Sequence, residues 1–412
     1  MAKAGKQRPY YGYVIVTMSF FILLVMWSCI LSFGVFVKPL EVEFGWSRTM
    51  TSGAYSLCMI LLGLMFIVAG RLNDRFGPRL VVTIGSLFGG LGFISLYWMS
   101  SLWQLYLFFG VMIAIGASVG YVPLSSTVAR WFVNKRGLMT GIVLSGSSLG
   151  TVLGPMISTH LIASYGVQTS FLILGLVTLT LIPIFAQFLK RDPGEKNVGP
   201  LGSNQVTEET SSSFSIAALS KPFWFFFIIS ICYGMSEMAI LVHIVPHATD
   251  MGLPLRAAVS ILTVIGLGNI VGRIGLGGIG DKIGSGPALV VNFVLVSIAM
   301  IMLLFAKQLW ILSVFGVLYG LGIGGLATLI SIVAAELFGM KRHGMFLGIF
   351  AFAGAIGNAG GPFLAGFIYD TLGSYQVAFV VLIAFGVLGI IISSKLVRRQ
   401  APAESQLPLH HP

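Results

Sequence analysis

The sequence predicts an all-α integral membrane protein of twelve transmembrane helices, arranged as two pseudo-symmetric bundles of six. Three observations carry that prediction. Of the 412 residues, 56% are hydrophobic and only 9% charged, with a mean hydropathy of +0.96, whereas soluble domains carry about a quarter charged residues. Apolar runs of about 20 residues, the length that crosses a bilayer, recur about twelve times. The landmarks of the first six runs then return in the second six at a constant spacing.

Taken in order, the runs cover 11–36, 49–70, 80–100, 103–129, 137–164, 168–189, 220–246, 256–280, 285–306, 309–335, 343–369 and 375–396. The first is too long for the apolar core of a signal peptide and no cleavage-like sequence closes it, so it is expected to stay as a helix. Between the sixth and seventh runs the composition turns polar, with Asp192, Pro193, Gly194, Glu195, Lys196, Glu208, Glu209 and a serine run at 211–213. Such a stretch reads as a solvated linker. The expected organisation is a six-helix bundle over 1–190, a linker over 191–218, a second bundle over 219–398 and a tail over 399–412.

The formal charge of +11 reports topology. Of the 24 basic residues, 19 fall in the tails and even-numbered loops, and the opposite side holds only Lys38, Arg48, Arg256 and Lys307. This asymmetry is the positive-inside pattern and implies cytoplasmic termini. The three cysteines, Cys29, Cys58 and Cys232, all lie inside runs, which indicates neither a disulfide framework nor a metal site.

The internal repeat is specific. Gly70-Arg-Leu-Asn-Asp74-Arg75-Phe-Gly77 follows the second run, and Gly277-Gly-Ile-Gly-Asp281-Lys282-Ile-Gly284 follows the eighth, about 207 positions later. Gly137, Gly141, Gly150, Gly154 and Pro155 match Gly344, Gly348, Gly357, Gly361 and Pro362 at the same offset. Parallel repeats of this kind place a substrate near the midplane between them. A short turn between antiparallel helices needs glycine for positive φ, and its charges can pair with neighbouring helix ends. Gly70, Asp74, Arg75, Asp281 and Lys282 are therefore candidate latch residues, with Arg136 at the head of the fifth run. The second copy has Lys282 for arginine and Gly286 where the first has Arg79, so the first latch is expected to be stronger.

One charge stands apart. Arg273 lies eight residues from Asp281, roughly 12 Å along a helix, in a hydrocarbon layer whose midplane is about 15 Å deep. A guanidinium there costs at least about 2.5 kcal/mol and should face a polar cavity, a partner or an anion. A purely structural arginine held by helix carbonyls or a glutamate is the competing reading.

Several stretches carry a resemblance: the loop from Gly70 to Arg79, Tyr10-Tyr-Gly-Tyr13, Phe33 to Lys38-Pro with Phe44-Gly-Trp46-Ser-Arg48, Trp131 to Arg136-Gly-Leu continuing through Gly141 to Gly150, and Asn269-Ile-Val-Gly-Arg273. Together they resemble the major facilitator superfamily and, within it, the monocarboxylate porter family with its bacterial members and the related oxalate:formate antiporters. The resemblance spans about residues 10 to 398. It implies carriage of a small carboxylate such as lactate or pyruvate, with a proton, by alternating access in a cell membrane, for bacterial members the inner membrane. The family has an aspartate four residues before the arginine, and here that position is Asn269, which cannot carry a proton.

Glu237, about midway along the seventh run, is then the expected proton carrier, with His243 and Asp250 nearer the outer end. The proton can also ride on the substrate carboxyl. Expected lining residues are Tyr121, Tyr233, Tyr319 and Trp27, each equally readable as ordinary packing, and Lys38 at the outer end of the first helix is an expected entrance charge. The eleventh run has no lysine, so one central arginine suits one carboxylate. Glycine pairs such as Gly266 and Gly268 lie in apolar runs without a preceding strand, so they read as small packing residues and no dinucleotide cofactor is expected. No metal-ligand cluster or nucleophile arrangement appears, so an enzyme is not expected, and the protein is expected to act as a monomer. An exchanger of organic anions without proton coupling is the alternative, and a non-transporting receptor a more distant one.

Overall fold

A computed structural model of the chain describes residues 10–196, 198–202 and 220–400. Most of the expected linker, 203–218, and residues 401–412 of the expected tail lie outside the described residues. Helix α1, Gly12–Phe44, is interrupted only at the single residue Ser32, and α2 is Arg48–Phe76. Helix α3, Pro78–Ser95, is followed by α4, Leu102–Trp131, which contains a π-helical stretch over Tyr106–Ile113. The continuous helical segment Arg136–Ala186 breaks at Gly166 (φ 79°, ψ 173°), giving α5 over 136–165 and α6 over 167–186. The second half supplies α7 (Lys221–Asp250), α8 (Leu255–Ile283), α9 (Ser285–Phe305), α10 (Leu309–Phe338), α11 (His343–Leu372) and α12 (Gln376–Gln400).

Every expected run becomes a helix, and the chief difference is length: α1 continues eight residues beyond its apolar run, so Lys38 is an exposed residue within a helix. The continuation carries Pro39 in its interior, at the expense of one helix hydrogen bond, and Gly45 (φ 69°) closes its end in the left-handed region. The tight turns between α2 and α3 and between α8 and α9 rest on Gly77 (φ 80°) and Gly284 (φ 88°), which keep the repeat offset. A side chain with a Cβ would be strained at either.

The face of the bundle carrying Tyr10 and the α2–α3, α4–α5, α8–α9 and α10–α11 turns is called here the near face. The two halves meet along two seams, α2 against α11 and α5 against α8. At the first, a Cβ on Gly70 would strike the carbonyl of Gly344; at the second, a Cβ on Gly137 would strike that of Gly277. Glycine allows this backbone approach, and dispersion replaces the missing hydrophobic driving force in lipid. The start of the linker is tied to the near face: Leu201 N donates to Trp131 O (3.0 Å) and Val133 N to Leu201 O (3.0 Å).

Candidate functional site

Each seam is capped at the near face by an aspartate. Asp74 accepts from the backbone N–H groups of Gly344 (3.1 Å) and Met345 (2.8 Å) at the start of α11, and Asp281 from those of Gly137 (2.6 Å) and Leu138 (2.9 Å) at the start of α5. A helix N-terminus offers unsatisfied donors and the positive end of its dipole, so each carboxylate joins one half to the other. Of the neighbouring basic residues, Arg75 lies 5.0 Å over the ring of Phe76 at the surface and Lys282 is exposed, whereas Arg136 directs Nε to the carbonyls of Ala129 (3.0 Å) and Phe132 (3.2 Å) and attracts Asp281 and Glu336 of the other half.

The residue that reinforces the first cap is Arg130, which the sequence had offered only as a topological charge. It reaches Asp74 (3.2 Å), Asp192 (3.4 Å) and the carbonyl of Met340 across the seam (2.7 Å), while only 8% exposed. Its place in the last turn of α4, followed directly by the buried Trp131, was the available signal.

Deeper along the second seam lies Arg273. Its Nη1 donates to the Leu144 carbonyl and to Ser147 Oγ (2.6 Å), both on α5, while its Nε has no hydrogen-bond partner among the described residues. One turn away, Asn269 Oδ1 accepts from Ser148 Oγ at 2.9 Å. Arg273 therefore spans the boundary between the halves. Glu237, Tyr233 and Tyr121 share its electrostatic environment, with Tyr233 and Glu237 one helical turn apart on α7. Tyr121 also donates to the Ala327 carbonyl on α10 (3.3 Å), touching the opposite half. These four side chains come from α4, α7 and α8. Ser147 and Ser148 sit inside the Ser145 to Gly150 stretch that marks the family resemblance, but their type alone does not separate seam contacts from internal helix bonds.

The other expected site residues are spread more widely. Tyr319 is fully buried between α10 and α7, with its hydroxyl bonded to the Ser236 carbonyl (2.6 Å), and shares the electrostatic environment of Glu237. Trp27 is half-buried against the apolar core. His243 lies toward the far face, with Nε2 3.0 Å from the Pro362 carbonyl and Nδ1 3.1 Å from the Tyr375 hydroxyl. A carbonyl only accepts, so a neutral ring satisfies both bonds with its proton on Nε2. The charge of Asp250 acts on both Tyr369 and Tyr375. Burial, then the charge of Asp250, pushes the Tyr375 phenol up from its ordinary value. Among the described residues no hydrogen bond links this far-face group to Glu237.

Among the described residues, every hydrogen bond between the halves falls between the level of Asn269, one turn beyond Arg273, and the near face. Two repeats, bonded to each other on one side and meeting around a half-buried cation, form the architecture of a membrane transporter. The family model described as Major Facilitator Superfamily matches residues 11–307 and again 276–411, and the chain belongs to that superfamily. It is similar to Monocarboxylate transporter 11 of Homo sapiens, 26% identical over 390 residues, 92% of this chain and 81% of that protein. It is also similar to the Uncharacterized MFS-type transporter YhjX of Escherichia coli (strain K12), 27% identical over 316 residues, 74% of this chain and 76% of that one. In structure it is similar to the transporter FucP (TM-score 0.72, 14% identity, 93% and 99% covered) and to the human organic anion transporter MFSD10 (TM-score 0.69, 16% identity, 94% and 100% covered). At those identities the likeness shows the fold. The protein is thus a multi-pass membrane transporter and not an enzyme.

Proposed function

We propose that this transporter carries small monocarboxylates, of the lactate or pyruvate kind, together with a proton. The observation that supports this reading is the meeting of Arg273 with Glu237, Tyr233 and Tyr121 at the seam. A guanidinium with an unengaged N–H offers a carboxylate a charge-assisted bond. Arg273 and an ionised Glu237 balance one another. A carboxylate entering alone would leave the site at net −1 in a water-poor interior, and a proton taken up with it restores neutrality. Similarity to proteins named monocarboxylate transporters supports the substrate class. The lysine and arginine asymmetry supports a cytoplasmic near face, the resemblance to bacterial family members supports a bacterial inner membrane, and a monomer suffices for the mechanism.

The second reading is exchange of organic anions without proton coupling, and Asn269 favours it. That residue occupies the position where the resembled family has an aspartate, and its amide carries no proton. Uptake of labelled lactate into proteoliposomes, with no acid preloaded, separates the two. Symport predicts accumulation driven by an inward proton gradient, abolished in Arg273→Ala and uncoupled from the gradient in Glu237→Gln. Uptake that ignores the gradient and needs a preloaded acid selects exchange, and full activity of Arg273→Ala overturns both.

A further inference from the structure

We infer that the near-face recess between the start of α3 and the end of α6 binds the phosphate head group of an anionic glycerophospholipid. The recess has a volume of about 450 Å³ and is lined by Arg75, Arg79, Lys190 and Arg191 against one carboxylate, Glu195. Glu195 is already engaged, accepting from the Arg191 backbone N–H (2.9 Å) and lying 3.5 Å from Lys190 Nζ, and Arg191 also lies 3.3 Å from Asp192. A surplus of positive charge remains. Arg79 is fixed across the recess by its Nε bond to Gln187 Oε1 (2.8 Å), which leaves its terminal N–H groups to meet an anion. Gly77 and Pro78, which open α3, form part of the wall, and the first turn of α3 holds no acidic residue, so the positive end of its dipole faces the same space uncompensated.

The second observation is where this charge sits. Leu80, Ile84, Leu87, Phe88 and Leu91 follow on α3 at helical spacing and are 42–49% exposed, and Ile184 and Phe188 of α6 are exposed beside the recess. A cationic cradle at a membrane edge, continued downward by an apolar stripe, matches the two parts of a lipid: phosphate above, acyl chains below. A soluble phosphate or a carboxylate satisfies the cradle but has nothing to lay along the stripe. The recess is formed by α3, α6 and the segments adjoining them, outside both seams, and is distinct from the Arg273 site.

The test uses the full-length protein in detergent, with thermal melting and native mass spectrometry in the presence of phosphatidylglycerol, phosphatidylcholine or inorganic phosphate. Phosphatidylglycerol is expected to be retained and to raise the Tm, and the Arg79→Gln/Arg191→Gln double variant to lower retention about tenfold or more through loss of charge-assisted bonds. Equal retention of the two lipids by the wild-type protein overturns the inference, as does unchanged retention in the variant. A Tm rise reproduced by inorganic phosphate alone overturns it in favour of a soluble anion. If the double variant does not fold, the wild-type lipid comparison and a Lys190→Gln variant decide.

Discussion

Positions 207 apart behave alike at the seams and unlike at the centre. Gly70 faces Gly344 as Gly277 faces Gly137, Gly348 packs on the Phe66 carbonyl as Gly141 does on that of Arg273, and Asp74 and Asp281 each cap a helix of the other half. The same offset carries Glu237, Asn269 and Arg273 onto Ile30, Leu62 and Phe66, which are buried apolar residues at 1%, 4% and 9% exposure. The two halves thus share the parts that close the molecule, and only one holds a charge at its centre. Closure needs both seams at once, so both copies keep its machinery. An anion site needs one cation, and a second would add a desolvation cost without a second carboxylate to meet it.

The matched seams are the part most easily broken. Gly137→Leu or Gly70→Leu drives a side chain into a backbone carbonyl of the other half, and overpacking of that kind costs about 1–3 kcal/mol. Closed molecules should fall relative to open ones by about 5- to 150-fold, with uptake dropping accordingly. Membrane-impermeant labelling of a cysteine placed at the near face reads the shift directly. The symmetry demands similar losses at both positions, and a large loss at one with normal uptake at the other would contradict it.

The caps sharpen the comparison, because there the halves diverge in strength. Asp74→Asn removes the charge from two backbone bonds and from the direct Arg130 contact, whereas Asp281→Asn removes it from two backbone bonds and only from the longer-range attraction of Arg136. Bonds to charged groups contribute about 1.5–3 kcal/mol against about 0.5–1.5 for neutral ones, a loss of about 1 kcal/mol per bond, so near-face opening should rise at least about tenfold for Asp281→Asn and about fivefold more for Asp74→Asn. Arg130→Met should bring the first cap down to the level of the second. Equal opening in both aspartate variants would mean that Arg130 serves only to hold Asp192 and the linker start.

These asymmetries differ in how far the sequence revealed them. Helix number, the α5–α6 break and the paired turns followed from apolar length and the glycine offset, since membrane helices must satisfy their backbone internally and glycine marks where they turn or touch. Arg273 was legible because a charge in hydrocarbon is costly wherever it lies. Its partners were not. Leu144 contributes a carbonyl, which every residue type possesses, and Ser147 looks like any helix serine bonding back to its own turn, as it also does to Leu144 (2.7 Å). Tyr319 shows the converse: its depth in the membrane follows from sequence position, but its bond to the Ser236 carbonyl depends on which neighbour packs about the helix axis there.

The smallest expected effect falls on the contact that couples these two levels. Ser148 belongs to α5 and Asn269 to α8, so their 2.9 Å bond joins a seam shared by both repeats to a centre held by one. Ser148→Ala removes a neutral hydrogen bond worth about 0.5–1.5 kcal/mol, with no new bulk at the seam. Near-face opening should increase about threefold, and the apparent affinity for lactate should change by no more than that, because Arg273 keeps its bonds to Ser147 and Leu144. Complete loss of uptake in Ser148→Ala, with near-face labelling unchanged, would instead place the serine hydroxyl on the substrate, and the centre would then draw on both halves.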